Sequence, residues 1–174
     1  MPVLSFEGKS PRIDPSAFIA ATAVIIGDVT IEARASVWYN AVVRGDTAPI
    51  MIRAGANVQD CSVVHVNPAD PVEIGPGVTV GHACVIHGCT LEEECLVGNG
   101  SIVLERVRVG ARSLVAAGSV VTPGTVIPPG MLALGAPAKI RGPIAGTPAE
   151  SWVRKNPQGY QALARRHVAG TRPV

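Results

Sequence analysis

The chain carries four histidines, and two of them, His82 and His87, lie five residues apart in VGHACVIHGC (residues 80–89). A third, His65, closes NVQDCSVVH. Imidazole is the commonest side-chain ligand for metals of the zinc and iron class. Three rings converging on one ion would leave a tetrahedral centre one open position for water. Five residues is an awkward interval for that. Paired ligands on a helix use i and i+4, and on a helix or flat strand an i, i+5 pair does not aim both rings at one point. Whether these residues form a site depends on the backbone that carries them. Cys84 and Cys89 flank His87, but the chain has no C-x-x-C pair, so a thiolate ligand has weak support. With Cys61 and Cys95 they read as reduced, buried small hydrophobes.

The composition narrows the class of backbone. A chain of 174 residues builds one domain with a substantial core. A net charge of +2 gives no electrostatic case for nucleic acid. The start, MPVLSFEGKSPRID, lacks the basic and apolar regions of a signal peptide, and no apolar run approaches a membrane span. The expectation is a soluble, cytoplasmic protein with no membrane partner. Aromatics make up only 3% of residues while Val, Ile and Ala abound, which favours strands, and 19 Gly with 15 Pro demand many turns.

Aliphatic residues recur every six positions. Ile19, Ile25, Ile31, Val37 and Val43 form one run, Ile52, Val58 and Val64 a second, and Ile74, Val80 and Ile86 a third. Leu91, Val97, Val103, Val109, Val115, Val121 and Ile127 form the longest. A period of six belongs to neither a helix nor a long alternating strand; it is the hexapeptide repeat of a parallel β-helix. Three hexads close one triangular coil of about 18 residues, with the aliphatic side chain inward. The breaks are informative. Three residues loop out around RGDTAPI, four around VNPADPVE, and the step from Ile86 to Leu91 is one short. Insertions in solenoids gather on functional faces.

The predicted organisation is a solenoid over 1–142 with a short lead-in, then a helical segment and tail over 143–174. Thr147, Pro148 and Glu150 form a helix start. Pro157 is expected to end or kink that helix, with Asn156 capping a second segment. His167, near the helix end, reads as a surface residue facing the helix dipole.

On this scaffold the histidines acquire positions. His65 and His87 are 22 residues apart; removing the four looped out after Val64 leaves 18, so they stack one coil apart. Adjacent strands are separated by about 4.8 Å, so two such rings can reach one cation. His82 lies almost a hexad earlier, around a corner. It is expected to complete a site on a neighbouring chain, which a cyclic trimer would provide three times over.

The segments NAVVRGD (40–46), NVQDCSVVH (57–65), VTVGHACVIHGCTL (78–91) and IPPGMLALGAPAKIRG (127–142) resemble the gamma-class carbonic anhydrase family in order and spacing across nearly the whole chain. The resemblance implies an all-β solenoid, a left-handed parallel β-helix with a C-terminal α-helix, assembled as a homotrimer. It implies Zn2+ or Fe2+ held by His65, His82 and His87, with His82 supplied by the adjacent subunit. It also implies reversible hydration of CO2 to bicarbonate. Three neutral imidazoles leave the ion its full charge, which lowers the pKa of water to about 7 and yields hydroxide. Gln59 would orient that water, and Arg44 would hold the carboxylate-like product. Asp46 and Asp60 would support an interface ion network, with Asp60 the expected partner of Arg44 and Asn57 a support. The sequence also departs from the family. Some active relatives carry a glutamate proton shuttle in loops where this chain offers only Asp70, and Asn99 stands where relatives usually carry Met. The same solenoid also serves acyltransferases, and a metal-dependent thioesterase acting on coenzyme A esters would use a similar centre.

Overall fold

In the computed structural model, which describes residues 2–172, the chain coils as a parallel β-solenoid closed by one helix, α1 (Pro148–Gly170). Most strands are two or three residues long and alternate with tight corners. Most corners turn through a left-handed residue, among them Arg34, Cys61, Ala83, Arg106 and Arg112. Gly27 is one place where glycine is required: φ is +77°, and a Cβ would fall 2.4 Å from the Gly45 carbonyl oxygen.

The coil presents three faces, each with an inward and an outward column, because alternate strand residues point oppositely. Every residue of the six-residue pattern is buried except Ile19, which is half-buried in the first coil, where no earlier turn covers it. The first face carries the inward column Ile25, Val43, Val64, Ile86, Val103 and Val121. The second carries Ile31, Ile52, Ile74, Leu91, Val109 and Ile127, backed outside by Thr30, Glu73, Thr90 and Arg108. The third carries Val37, Val58, Val80, Val97 and Val115.

Two irregularities follow the sequence expectation and one does not. The insertion after Val64 projects as a tight loop, pinned by a bridge between Asn67 and Asp70. The short step after Ile86 is taken by Gly88 at φ +56°. The residues around RGDTAPI do not loop out. They extend one continuous strand, Val42–Ile52, that bends from the first face to the second. The strand Val24–Ile31 runs beside it, and the register shifts between Gly27 and Val29 to absorb the extra length.

α1 lies along the third face, whose outward column reads Phe18, Ser36, Asn57, Thr79, Leu96, Leu114 and Leu132. Its N-terminal half packs Val153 on Leu96, Leu114 and Ile144. The expected break at Pro157 does not occur; α1 is one helix. Val153, Pro157 and Ala164 form its buried stripe, and Pro157 sits against Gly77, which has no side chain to obstruct it. Docking along a single groove outweighs the roughly 3 kcal/mol that an interior proline costs a helix. The helix starts at Pro148 as expected, but the Thr147 hydroxyl bonds the Ile144 carbonyl instead of capping. His167 is not a free surface residue. Its ring sits among Phe18, Trp38 and Tyr39, edge-on to Trp38 with centroids 5.0 Å apart, and Nδ1 lies 3.1 Å from the Tyr39 hydroxyl. Among the described residues no helix is long and apolar enough to cross a membrane.

Candidate metal centre

The first face sets its functional column by register. Arg44 pairs with His65, and His65 with His87, as strand neighbours pointing outward. The stacking expected from the residue count is therefore present. His65 Nδ1 and His87 Nε2 face each other at 3.0 Å. Two nitrogens bound tetrahedrally to one ion at 2.0–2.1 Å would stand about 3.3 Å apart, so this pair fits a shared cation with a small opening movement.

Each ring turns its other nitrogen to a carboxylate. Asp46 Oδ1 accepts from His65 Nε2 at 3.1 Å, and Asp46 also pairs with Arg44. Burial opposes the charge on Asp46, but the hydrogen bonds from His65 and Arg44 outweigh it and hold the carboxyl below its usual range. Burial, with the neighbouring Arg44 charge and His87, pushes His65 below the usual histidine value against the opposing pull of Asp46. A neutral imidazole is the form that binds metal. His87 Nδ1 lies 2.9 Å from Glu105 Oε1. Its N–H is not aimed along that line, so Nδ1 is buried without a formed hydrogen bond.

His82 stands elsewhere, on a corner beside the third face, with its side chain 45% exposed. Its Nδ1 contacts Asp60 Oδ2 at 2.9 Å, while Nε2 lies 3.4 Å from the Tyr160 hydroxyl. Asn99 Oδ1 accepts the His82 backbone N–H at 3.0 Å, which gives Asn99 a definite role in shaping this corner. Among the described residues, no group of three or more His, Cys, Asp or Glu side chains gathers within one chain as a cation site. One chain brings together two of the three imidazoles and holds the third apart.

Beside His82 a cleft is lined by Gln59, Thr79, Asn99, Trp152, Asn156 and Tyr160. Hydrogen bonds run in one direction through it. Gln59 Nε2 donates to Asn57 Oδ1 at 2.9 Å, Asn57 Nδ2 to Thr79 Oγ1 at 2.9 Å, and Thr79 Oγ1 to Asn156 Oδ1 at 3.3 Å. The Gln59 amide therefore has its carbonyl oxygen left over as an acceptor.

Two carboxylates find partners within the chain. Asp60 meets His82 within the chain, and Arg44 meets Asp46, because Asp60 turns on the corner that carries His82. Asp70 is buried and ion-paired with Arg106 at 3.2 Å, an arrangement that ties the carboxylate down and does not suit a proton shuttle. Glu105 and Thr79 are not singled out by sequence, and Asn156 only as a helix cap. An acid one coil length from a ligand histidine is the signal that could have found Glu105.

No family model matches the chain. It is 49% identical over 138 residues to a carbonic anhydrase of Geobacillus kaustophilus, covering 79% of this chain and 76% of that one. It is 38% identical over 167 residues to the mitochondrial gamma carbonic anhydrase 1 of Arabidopsis thaliana, covering 92% of this chain and 60% of the relative. Among solved structures it matches a hexapeptide transferase family protein from Anaplasma phagocytophilum with TM-score 0.90 and 41% identity, over 94% of this chain and 96% of that one. The identity and coverage of these relatives, together with the motifs on the first face, place the chain in the gamma-class carbonic anhydrase family.

Proposed function

We propose that this protein reversibly hydrates CO2 to bicarbonate at zinc or iron(II) centres shared between the subunits of a homotrimer. The observation that carries the reading is the split donor set: His65 Nδ1 and His87 Nε2 face each other at 3.0 Å on one face, while His82 presents Nε2 from another. A second observation supports assembly. The outward column beside the histidines is Val24, Val42, Val63, Val85, Ile102 and Val120. Six aliphatic rungs in a row suit a covered face, not a wetted one.

His65, His87 and a neighbouring subunit's copy of His82 would hold the ion, which when bound acidifies water to give a nucleophile near neutral pH. Asp46, Asp60 and Glu105 orient the three rings from behind. The Gln59 carbonyl oxygen, its amide fixed by Asn57, would be the acceptor that orients water at the centre. The Arg44 guanidinium, held by Asp46 yet 43% exposed, has N–H groups free to bind the anionic product. Asp70 is engaged by Arg106, so the released proton passes to solvent buffer.

The test is CO2 hydration by zinc and iron(II) forms prepared anaerobically, run beside a panel of coenzyme A esters. Hydration above background, absent in His87→Ala, supports the reading. A second reading, acyl or thioester chemistry, has the support of the transferase-family neighbour at 41% identity. Turnover confined to coenzyme A esters would favour it.

A further inference from the structure

We propose that Glu105 is a positioning residue for His87: its carboxylate fixes the imidazole proton on Nδ1 and so leaves Nε2 as the ligand atom. This inference rests on the metal-centre reading above. A neutral imidazole carries one N–H, and the nitrogen that carries it cannot bind a metal. Glu105 Oε1 lies 2.9 Å from His87 Nδ1. An ionised carboxylate only accepts, so its presence selects the tautomer with the proton facing it. Among the described residues His87 Nδ1 is otherwise buried without a hydrogen bond, and Glu105 Oε1 is the acceptor within reach of it. Asp46 stands in the same relation to His65, and Asp60 to His82.

The irregularities of the repeat explain how Glu105 reaches this place. The coil after His87 is one residue short, and Gly88 takes up the turn at φ +56°. A Cβ on Gly88 would stand 2.8 Å from Asp70 Cβ and 3.2 Å from Glu105 Cγ. The missing side chain lets both residues close over the turn beside His87. Asp70 comes from the loop inserted after Val64, and its carboxylate holds Arg106, the residue next to Glu105, at 3.2 Å. The insertion, the shortened coil and the glycine thus act together as a clamp that seats one carboxylate behind one ligand.

The experiment uses full-length protein and two readouts. On metal-free, 15N-labelled protein at about pH 9, where free histidine is neutral, two-bond proton–nitrogen spectra report which nitrogen of His87 is protonated. Cobalt(II) titration, followed by its visible bands, reports affinity. Wild type should show the Nδ1–H form. Glu105→Met, of similar length, should move His87 toward the Nε2–H form and weaken cobalt binding about 10- to 100-fold. Glu105→Gln keeps an acceptor oxygen and should retain more of both than Glu105→Met. The proposal is overturned if Glu105→Met keeps the Nδ1–H form or wild-type affinity, or if Glu105→Gln loses as much as Glu105→Met. If Glu105→Met does not fold, Glu105→Ala decides in its place: it removes the carboxylate and should move His87 toward the Nε2–H form, and retention of the wild-type Nδ1–H form there overturns the proposal. Wild type that binds no cobalt fails the metal-centre reading instead, while the metal-free spectra still judge Glu105.

Discussion

Adjacent valines on one strand allow a direct test of the two faces of the solenoid wall. Val64 is fully buried in the core, whereas Val63 points outward and is 38% exposed in the single chain. Val64→Asp removes about 1.5–3 kcal/mol of burial and leaves an unpaired carboxylate in an apolar column, several kcal/mol more. The total approaches the 5–15 kcal/mol that stabilises a typical domain, so this variant should fail to fold. Val63→Asp places the same carboxylate on the outer surface, where a lone chain should change by about 0.5 kcal/mol or less. In a trimer it falls in the aliphatic column beside the ligand histidines. Burying one unpaired charge per interface costs about 3–5 kcal/mol, and 3 kcal/mol already weakens association more than a hundredfold. Circular dichroism and light scattering after gel filtration would read both effects. The expected result is an unfolded Val64→Asp and a folded, dissociated Val63→Asp with weakened metal binding. A Val63→Asp protein that stays trimeric with normal metal content would refute the placement of the interface. A folded Val64→Asp protein would refute the register.

Further predictions concern chemistry and stability. Gln59→Ala should keep the metal and lose part of the CO2 hydration rate, measured by stopped-flow indicator change, because it removes the fixed acceptor oxygen but no ligand. With Asp70 engaged by Arg106, imidazole-type buffer should raise maximal turnover and leave the low-substrate rate nearly unchanged; no buffer effect would point to an internal shuttle. Gly27→Ala should lower stability by about 2–4 kcal/mol in chemical denaturation, since its Cβ would overlap the Gly45 carbonyl at φ +77°. Burial pushes the Cys89 thiol up to about 12 and Cys95 upward as well. Unfolded thiols ionise near ~8.5, so the unfolded state loses protons first; stability should be level below that pH and fall progressively toward pH 12. Melting temperature against pH reads this, and Cys89→Ala should shrink the alkaline slope.

The solenoid was legible because its core is a simple periodic code. Val97, Val103, Val109, Val115 and Val121 are inward for the same reason that they are six apart. The stacking of His65 on His87 followed from subtracting one insertion, since register in a β-helix is arithmetic. Pairings made by side-chain reach were not legible. Glu105 meets His87, and Asp60 meets His82, through corner geometry that no period encodes. The spacing around Asp46 predicts a loop where the chain forms an extended strand, because extra residues can lengthen a corner by extension as readily as by bulging. Local sequence predicts a break in α1 because Pro157 weakens a helix, while Gly77, far away in sequence, supplies the groove that accepts it. His167 was assigned to the surface because its aromatic neighbours come from coils far away in sequence.

In the proposed assembly each metal centre is built from two chains, with His65 and His87 from one and His82 from the next. Subunit exchange tests it most directly. His65→Ala and His82→Ala proteins are prepared separately, each without a complete donor set, then mixed and allowed to exchange, with mass spectrometry of differently tagged chains proving that mixed trimers form. Mixed trimers should regain tightly bound cobalt(II) at interfaces where an intact His65–His87 pair meets an intact His82, while neither parent binds it. Proven exchange with no recovered binding would contradict the shared site.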